Sequence, residues 1–161
     1  MEKSPLQIEL GKRNPFDSLE QEAALNLVRT QDYLQSAFAA LFCDAGISGP
    51  QYNVLRILRG HGGDGVPTQV IAGQMITRMP DVTRLIDRLE QAGLAERART
   101  AQDRRVVLVR ITAAGLDVLA RLDEPVLVLH RRLLGHLSGE DLQQLNALLV
   151  KARSPQFSPG S

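Results

Sequence analysis

The sequence predicts a mainly α-helical fold with one small β-hairpin, a winged helix-turn-helix set between N- and C-terminal dimerisation helices. Three observations predict it. Apolar residues recur at three- and four-residue spacing along most of the 161 residues, which is the pattern of amphipathic helices. Two short helical stretches joined by a tight turn lie in the middle of the chain. A β-branched run preceded by several arginines follows them, as expected for a hairpin wing.

The composition of both ends of the chain predicts flexible segments. A long helix is predicted after the N-terminal one. Residues 1–17 and 154–161 mix Pro and Gly with polar residues, which is typical of an arm and a tail. Residues 18–46 predict the N-terminal dimerisation helix, which Gly46 is suited to end. The apolar stripe of this helix consists of Ala24, Leu27, Val28, Leu34, Phe38, Leu41 and Phe42.

Residues 47–112 predict a winged lobe, which begins with a second helix. Ser48 and Gln51 have the spacing of a capping box, in which a serine hydroxyl and a glutamine amide satisfy each other's backbone N–H groups. The glycine-rich run 60–65 follows this helix and predicts a link.

The helix-turn-helix comes next. A third helix is predicted over 67–75, with Val70, Ile71 and Met75 facing inward. A fourth helix is predicted over 80–92, after the turn Arg78-Met79-Pro80 and before Gly93.

The wing and the C-terminal helices complete the prediction. Residues 94–99 and 106–111, separated by a polar tip, predict the two strands of a hairpin. Residues 113–153 predict two C-terminal dimerisation helices, of which Thr112 can cap the first. Pro125 should kink that helix or split it in two.

The fourth helix is the predicted recognition helix. Its apolar residues define a buried face, which turns the charged residues toward solvent. Because the N-terminal end of such a helix meets base edges, Asp81, Thr83 and Arg84 are predicted to lie nearest the major groove. Arg84 is suited to a bidentate contact with guanine, and Arg88 to a phosphate. Asp81 can accept a hydrogen bond from cytosine or complement the positive helix terminus. The expected buried residues are Val82, Leu85, Ile86 and Leu89.

Further candidate DNA contacts lie outside the recognition helix. Thr68, Gln69 and Arg78 belong to the third helix and the turn after it. The wing tip carries Asp103, Arg104 and Arg105. An arginine on a stiff hairpin suits the narrow minor groove, where the negative potential is enhanced. The alternative is a charged, solvated β-turn.

The terminal helices carry more apolar side chains than one lobe can cover. A homodimer interface would bury them, whereas the alternative is a single-chain helical bundle. The residues concerned, besides the stripe of the first helix, are Leu116, Val118, Leu119, Leu122, Val126, Leu127, Val128, Leu129, Leu133, Leu134, Leu142, Leu145, Leu148 and Leu149.

Composition excludes several classes of protein. The formal net charge of +1 does not by itself point to nucleic acid. Cys43 is the single cysteine, so an internal disulfide and a cysteine-rich zinc site are excluded. We expect a cytoplasmic protein, because no bilayer-spanning run and no signal peptide are found. No Gly-rich phosphate loop, HExxH, CxxC or GxSxG pattern occurs, so we expect neither an enzyme nor a bound metal or cofactor.

Three segments of the chain carry a family resemblance. They are Met79-Pro80-Asp81-Val82-Thr83-Arg84-Leu85-Ile86-Asp87-Arg88-Leu89-Glu90-Gln91-Ala92-Gly93-Leu94, Asp103-Arg104-Arg105 and Ile111-Thr112. Together they resemble the MarR (multiple antibiotic resistance regulator) family. The resemblance extends from Ser18 to Arg153. It implies an obligate dimer with intertwined terminal helices, whose two winged lobes read a pseudo-palindrome in double-stranded DNA. It also implies that Arg105 enters the minor groove and that Asp103 supports it. Many members carry Ser or Thr where this chain has Asp81, a departure that bears on sequence preference.

The resemblance further implies a signal input. Many members sense small phenolic or lipophilic ligands between the dimer helices and the winged lobe, and some sense oxidants through cysteine. Tyr52, His61 and His130 are the candidate pocket residues here, with structural or solvated roles as the alternative. For Cys43 we favour a small buried hydrophobe over a redox switch, because the chain offers no second thiol.

The function expected from these observations is that of a ligand-responsive repressor that binds a pseudo-palindromic operator as a homodimer. An activator or a ligand-independent regulator of the same fold is the first alternative. A winged-helix protein-interaction module is the second, and the arginine-rich wing argues against it.

Overall fold

The computed structural model describes residues 3–78, 81–99 and 107–154. Seven helices and three strands lie in these ranges. They are α1 (Pro5–Glu9), α2 (Leu19–Asp44), α3 (Gly49–Gly60), β1 (Val66–Pro67), α4 (Thr68–Gln74), α5 (Val82–Gln91), β2 (Ala95–Arg99), β3 (Val107–Ile111), α6 (Ala113–Leu134) and α7 (Gly139–Arg153). The chain divides into two compact units, of which the first ends at Val126 and the second begins at Leu127.

Serine caps begin the helices where the sequence predicted them. The hydroxyl oxygens of Ser18, Ser48 and Ser138 each accept a backbone N–H from the third residue of the following helix. The predicted capping box of α3 is present, and Ser138 and Asp141 form a second one at α7. The helix boundaries therefore follow from local hydrogen bonding that can be read from the sequence.

Helix α1 was not predicted from the sequence. Ser4 and Gln7 form a capping box around it, and Pro5 occupies its first turn. Leu6 is only 3% exposed. The segment before α2, which was predicted to be a flexible arm, therefore contains a buried apolar side chain.

The wing is a three-stranded antiparallel sheet in the order β1-β3-β2, where the sequence predicted a two-stranded hairpin. Strand β1 is only two residues long, and its Val66 pairs with Val109. Gly65, which precedes β1, has φ +84°, and a Cβ there would lie 2.9 Å from the Cβ of Leu108. Glycine therefore lets the chain enter this close pairing.

The core of the first unit joins helices α3 to α6 with the sheet. Val54, Leu55, Ile71, Ile86, Leu89, Val109 and Leu119 are each fully buried there. Val70 is 39% exposed rather than inward-facing, because the seven-residue α4 buries only Ile71.

Helix α6 is anchored to the turn between α5 and β2. The Thr112 hydroxyl donates to the Gly93 carbonyl oxygen at 2.7 Å and accepts the Gly115 N–H at 3.1 Å. The Thr112 N–H donates to the Leu94 carbonyl oxygen at 3.2 Å. A Cβ on Gly115 would overlap that same carbonyl oxygen. Thr112 therefore caps α6 as predicted, and Gly115 permits the close approach.

A charged pair ties α3 to α6. The Arg59 guanidinium donates two hydrogen bonds to the Asp123 carboxylate, both of 2.8 Å. These bonds raise the pKa of Arg59 and lower that of Asp123, and burial opposes both shifts. The contact is bidentate, the geometry that a guanidinium and a carboxylate prefer.

Pro125 does not split the helix that contains it. Helix α6 is continuous from Ala113 to Leu134, although proline lacks the N–H that would bond to the carbonyl of Arg121. Of the two predicted effects, a kink or a split, the split is therefore wrong. The boundary between the two compact units falls one residue after the proline, between Val126 and Leu127.

Helices α2 and α7 leave their apolar residues largely uncovered. Of the 26 residues of α2 only Phe42 is buried, and none of the 15 residues of α7 is buried. No helix in the described part of the chain is both long and apolar enough to cross a membrane. The exposed apolar residues of these two helices are Leu19, Leu25, Leu27, Val28, Tyr33, Leu145, Leu148 and Val150.

Candidate nucleic-acid interface

The recognition helix predicted from the sequence is α5, and it begins at Val82 rather than at Pro80. Asp81 is its N-cap. One Asp81 carboxylate oxygen accepts the backbone N–H of Arg84 at 2.9 Å, and the other lies 3.6 Å from the Arg84 Nε. The structure therefore gives Asp81 the helix-terminus role that the sequence analysis offered as an alternative to base contact.

The two faces of α5 separate as predicted. Val82, Leu85, Ile86 and Leu89 are all buried. The Arg84 side chain is 80% exposed, and Thr83 and Arg88 are exposed as well. The helix thus presents polar and cationic groups on its outer face, where a duplex can reach them.

A second flank of α5 is acidic and is paired with the wing. The Arg97 guanidinium on β2 donates to Asp87 at 2.6 Å and to Glu90 at 2.5 Å. The Arg97 backbone N–H donates to the other Glu90 oxygen at 3.1 Å. Burial disfavours the charged guanidinium, but the hydrogen bonds to both carboxylates outweigh it, and the pKa of Arg97 is raised. Sequence reasoning missed this cluster, whose only signal is the spacing of two acids on one helix flank.

The turn between α4 and α5 is tied to α3. The Asn53 side-chain oxygen accepts the backbone N–H of Ile76 at 2.9 Å, a contact that the sequence analysis did not foresee. The Ile76 side chain itself is 88% exposed. Of the three predicted polar residues here, Gln69 near the start of α4 and Arg78 after its end are exposed, whereas Thr68 is half-buried.

The base of the wing is regular. Strands β2 and β3 pair without interruption from Ala95 opposite Ile111 to Arg99 opposite Val107. The predicted minor-groove residues Asp103, Arg104 and Arg105 lie outside the described residues.

Two of the three candidate effector residues lie at opposite ends of α3. Tyr52 lies in the first turn of α3, and its ring stacks on Phe42 with centroids 4.5 Å apart. His61 caps the opposite end of α3, where its Nε2 lies 3.1 Å from the Gln74 Oε1. Nine residues of helix separate the two side chains by roughly 13 Å along the axis. His130 is exposed and belongs to the second unit.

An open cleft of about 670 Å³ lies where α2 ends and α3 begins. Its wall includes Phe38, Phe42, Cys43, Ile47 and Pro50, so it is mainly apolar. The stack of Phe38, Phe42 and Tyr52 stiffens one side. Cys43 lines this cleft and is exposed rather than buried, so the expectation of a buried hydrophobe is wrong.

Comparison with known proteins agrees with this architecture. Residues 47–107 match the sequence model of the MarR family. The chain is 31% identical over 142 residues to the HTH-type transcriptional regulator PecS of Dickeya dadantii (strain 3937), covering 85% of each chain. It is 46% identical to the crystal structure of a MarR transcription factor from Planctomyces limnophilus, with a TM-score of 0.65, covering 83% of this chain and 97% of that one.

The fold is also that of a MarR mutant from E. coli crystallised with operator DNA. The TM-score is 0.74 at 22% identity, over 84% of this chain and 99% of the other.

Proposed function

Because the chain belongs to the MarR family of DNA-binding transcriptional regulators, we propose that it binds a pseudo-palindromic operator as a homodimer and represses transcription until a small effector releases it. The observation that carries the proposal is the outer face of α5. This face combines a capped N-terminus with the exposed Thr83, Arg84 and Arg88, and the wing follows directly.

We assign each part of the lobe a role on the duplex. Arg84 reads a guanine in the major groove, and Arg88 contacts a phosphate. Thr68, Gln69 and Arg78 extend the contact surface beside α5, together with Thr83. Asp81 caps the helix and adds an acceptor for cytosine.

The wing tip is assigned to the minor groove. Arg105 enters it, Arg104 contacts the backbone and Asp103 holds the tip. Because these contacts are made with phosphate and groove shape, they carry little sequence preference.

The proposed second partner is another copy of this chain. A 15-residue helix without any buried residue, such as α7, has too little tertiary packing for its stability. Helix α2 likewise buries only Phe42. Self-association through these two helices buries their exposed leucines and valines, and it places two winged lobes on one duplex.

The cleft between α2 and α3 is the proposed effector site. Its volume and its apolar wall suit a small phenolic or lipophilic molecule. The Tyr52 ring stacks on Phe42, which lines this cleft, so one of the three predicted pocket residues supports the assignment, whereas His61 lies at the opposite end of α3. Ala39→Phe, which fills the cleft, should abolish effector response and preserve DNA binding. The adjacent Ala40→Phe, outside the cleft, serves as its control.

The test of DNA binding starts from a duplex that the wild-type chain selects from a random-sequence pool. Fluorescence anisotropy then measures its dissociation constant over a range of salt concentrations. We expect affinity to fall steeply with salt, because phosphate contacts release counterions. Arg105→Ala should weaken binding to all duplexes, whereas Arg84→Ala should also relax preference at one base of each half-site. Arg121→Ala, an exposed arginine of α6, is the control. Salt-independent binding, or no selected duplex, would contradict the proposal.

Activation or effector-independent regulation by the same fold remains the second candidate. A reporter gene placed behind the selected duplex distinguishes these modes, since a repressor lowers its expression and a phenol or fatty acid restores it. A protein-interaction role without DNA requires that no duplex be selected.

A further inference from the structure

Arg97 occupies an unusual place in the wing. It pairs with Val109 in the β2–β3 ladder, and Val109 is fully buried. Paired residues of an antiparallel ladder point to the same face of the sheet. The Arg97 side chain therefore starts on the core-facing side, and only 25% of it is exposed. A guanidinium in such a place is costly unless partners compensate its charge.

Among the described residues, those partners come from α5. Asp87 and Glu90 are three residues apart, which places both carboxylates on one flank of the helix. Glu90 accepts from both the guanidinium and the backbone N–H of Arg97, and Asp87 accepts from the second guanidinium nitrogen. Three hydrogen bonds thus join one residue of the wing to one flank of the helix.

The same arrangement sorts the charges of α5. Its two acids are paired with Arg97 of the wing, while the side chains of Arg84 and Arg88 are exposed. Unpaired, the two carboxylates would add negative charge beside a surface that must approach phosphates.

We propose that Arg97 is a positioning residue for DNA binding, which locks the base of the wing to the acidic flank of α5 so that helix and wing meet the duplex as one rigid body. The inference rests on the proposed function. An element in the major groove and one in the minor groove can bind together only if the spacing between them is held. Without that restraint, binding must also order the two elements relative to each other, and this loss of conformational entropy lowers the affinity.

The test compares three variants with the wild-type chain. Arg97→Met removes the guanidinium and keeps an apolar stem. The triple variant Asp87→Asn, Glu90→Gln, Arg97→Met also removes both carboxylate charges. Arg59→Met is the matched control, because it breaks an arginine–carboxylate contact between α3 and α6 that likewise uses both terminal guanidinium nitrogens. Dissociation constants are measured for the selected duplex and for a shuffled duplex of the same composition, at a temperature where circular dichroism shows every variant folded.

If Arg97 is a positioning residue, Arg97→Met should weaken binding to the selected duplex by about tenfold, or about 1.4 kcal/mol. The change in affinity for the shuffled duplex should be smaller. The triple variant should remain as weak, because it removes the two unpaired carboxylate charges without restoring the contact between the wing and α5. Arg59→Met should bind like the wild type. If Arg97→Met does not fold, the triple variant, which has no unpaired charge, carries the test.

Two results would overturn the inference while leaving the proposed function intact. One is wild-type affinity in Arg97→Met, even with a lowered melting temperature, which would make the cluster merely structural. The other is full recovery in the triple variant, which would reduce the role of Arg97 to charge neutralisation. Failure of the wild-type chain to select any duplex would instead overturn the proposed function, and this inference with it.

Discussion

Asp81 and Arg84 are joined by a hydrogen bond from the Arg84 backbone N–H to the Asp81 carboxylate, 2.9 Å long. The residue at which this chain departs from the family's usual Ser or Thr is therefore the N-cap of the helix that carries the proposed guanine reader. Aspartate, serine and threonine all accept this bond. Serine or threonine at this position would therefore keep the helix start and change only the exposed group at the N-cap.

Asp81→Ala should lower the free energy of unfolding by about 0.5–2 kcal/mol, because the N-cap acceptor is lost. Asp81→Ser should keep most of that stability, since its hydroxyl can accept the same N–H. Chemical denaturation measures both values. If serine destabilises as much as alanine, the cap is not the main role of Asp81. A change in the selected DNA sequence for Asp81→Ser would show in addition that this position reads bases.

Gly115→Ala should destabilise the first unit by about 1–3 kcal/mol, the usual cost of overpacking. The added methyl group would overlap the Leu94 carbonyl oxygen, so α6 must move away from the α5–β2 turn. Gly73→Ala is the control, since a Cβ there meets nothing within 4 Å and alanine favours a helix by about 1 kcal/mol. Thermal unfolding should show a lower melting temperature for the first variant only. Equal melting temperatures would contradict the described contact.

Leu148→Lys should weaken self-association, because Leu148 on α7 is 56% exposed in the single chain and is proposed to be buried by a second copy. Losing a buried leucine and adding a charge should raise the dimer dissociation constant by at least about tenfold. Sedimentation velocity over a concentration series measures it. Gln143→Lys, which adds the same charge on the opposite side of α7, should leave the constant unchanged. A monomeric wild-type chain would contradict the dimer itself.

Asp123 should make stability depend on acid pH. Its hydrogen bonds from Arg59 hold the pKa below the ordinary value of 3.8, so the folded state releases this proton more readily than the unfolded chain. The contribution to stability is present above pH 3.8 and is lost as the pH falls through the folded-state pKa.

Urea unfolding should therefore show a higher free energy of unfolding for the wild type than for Asp123→Asn near neutral pH, and this difference should shrink as the pH falls below about 4. We expect about 1 kcal/mol or less, since the Asp123 side chain is 44% exposed and solvent screens the pair. A constant difference down to the lowest pH would show that the carboxylate charge contributes nothing.

Much of the fold was predictable because its signals are local. Ser48 with Gln51 and Ser138 with Asp141 are capping boxes within one helical turn. The buried face of α5 follows from helical spacing alone. The short β1 escaped prediction, because its two residues acquire strand conformation only by pairing with β3, more than forty residues later in the chain.

Part of the candidate site was likewise predictable from the sequence, and part was not. The exposed face with Arg84 and Arg88 was predictable, since burying the apolar face turns it outward. The separation of Tyr52 from His61 follows from the length of α3. The exposure of Cys43 on the cleft depends on how α2 meets α3, which helical periodicity does not specify.

The sequence by itself determined helices α2 to α7, their serine caps, strands β2 and β3 and the outer face of α5, because hydrogen bonding within one turn and the burial of apolar stripes act over short distances along the chain. Only the tertiary structure decided that Arg97 joins Asp87 and Glu90, that Asn53 holds the turn before α5, and that Gly115 lets α6 approach Leu94. Each of these contacts depends on the distance between two packed elements. That distance is set by the shared core and not by either segment alone.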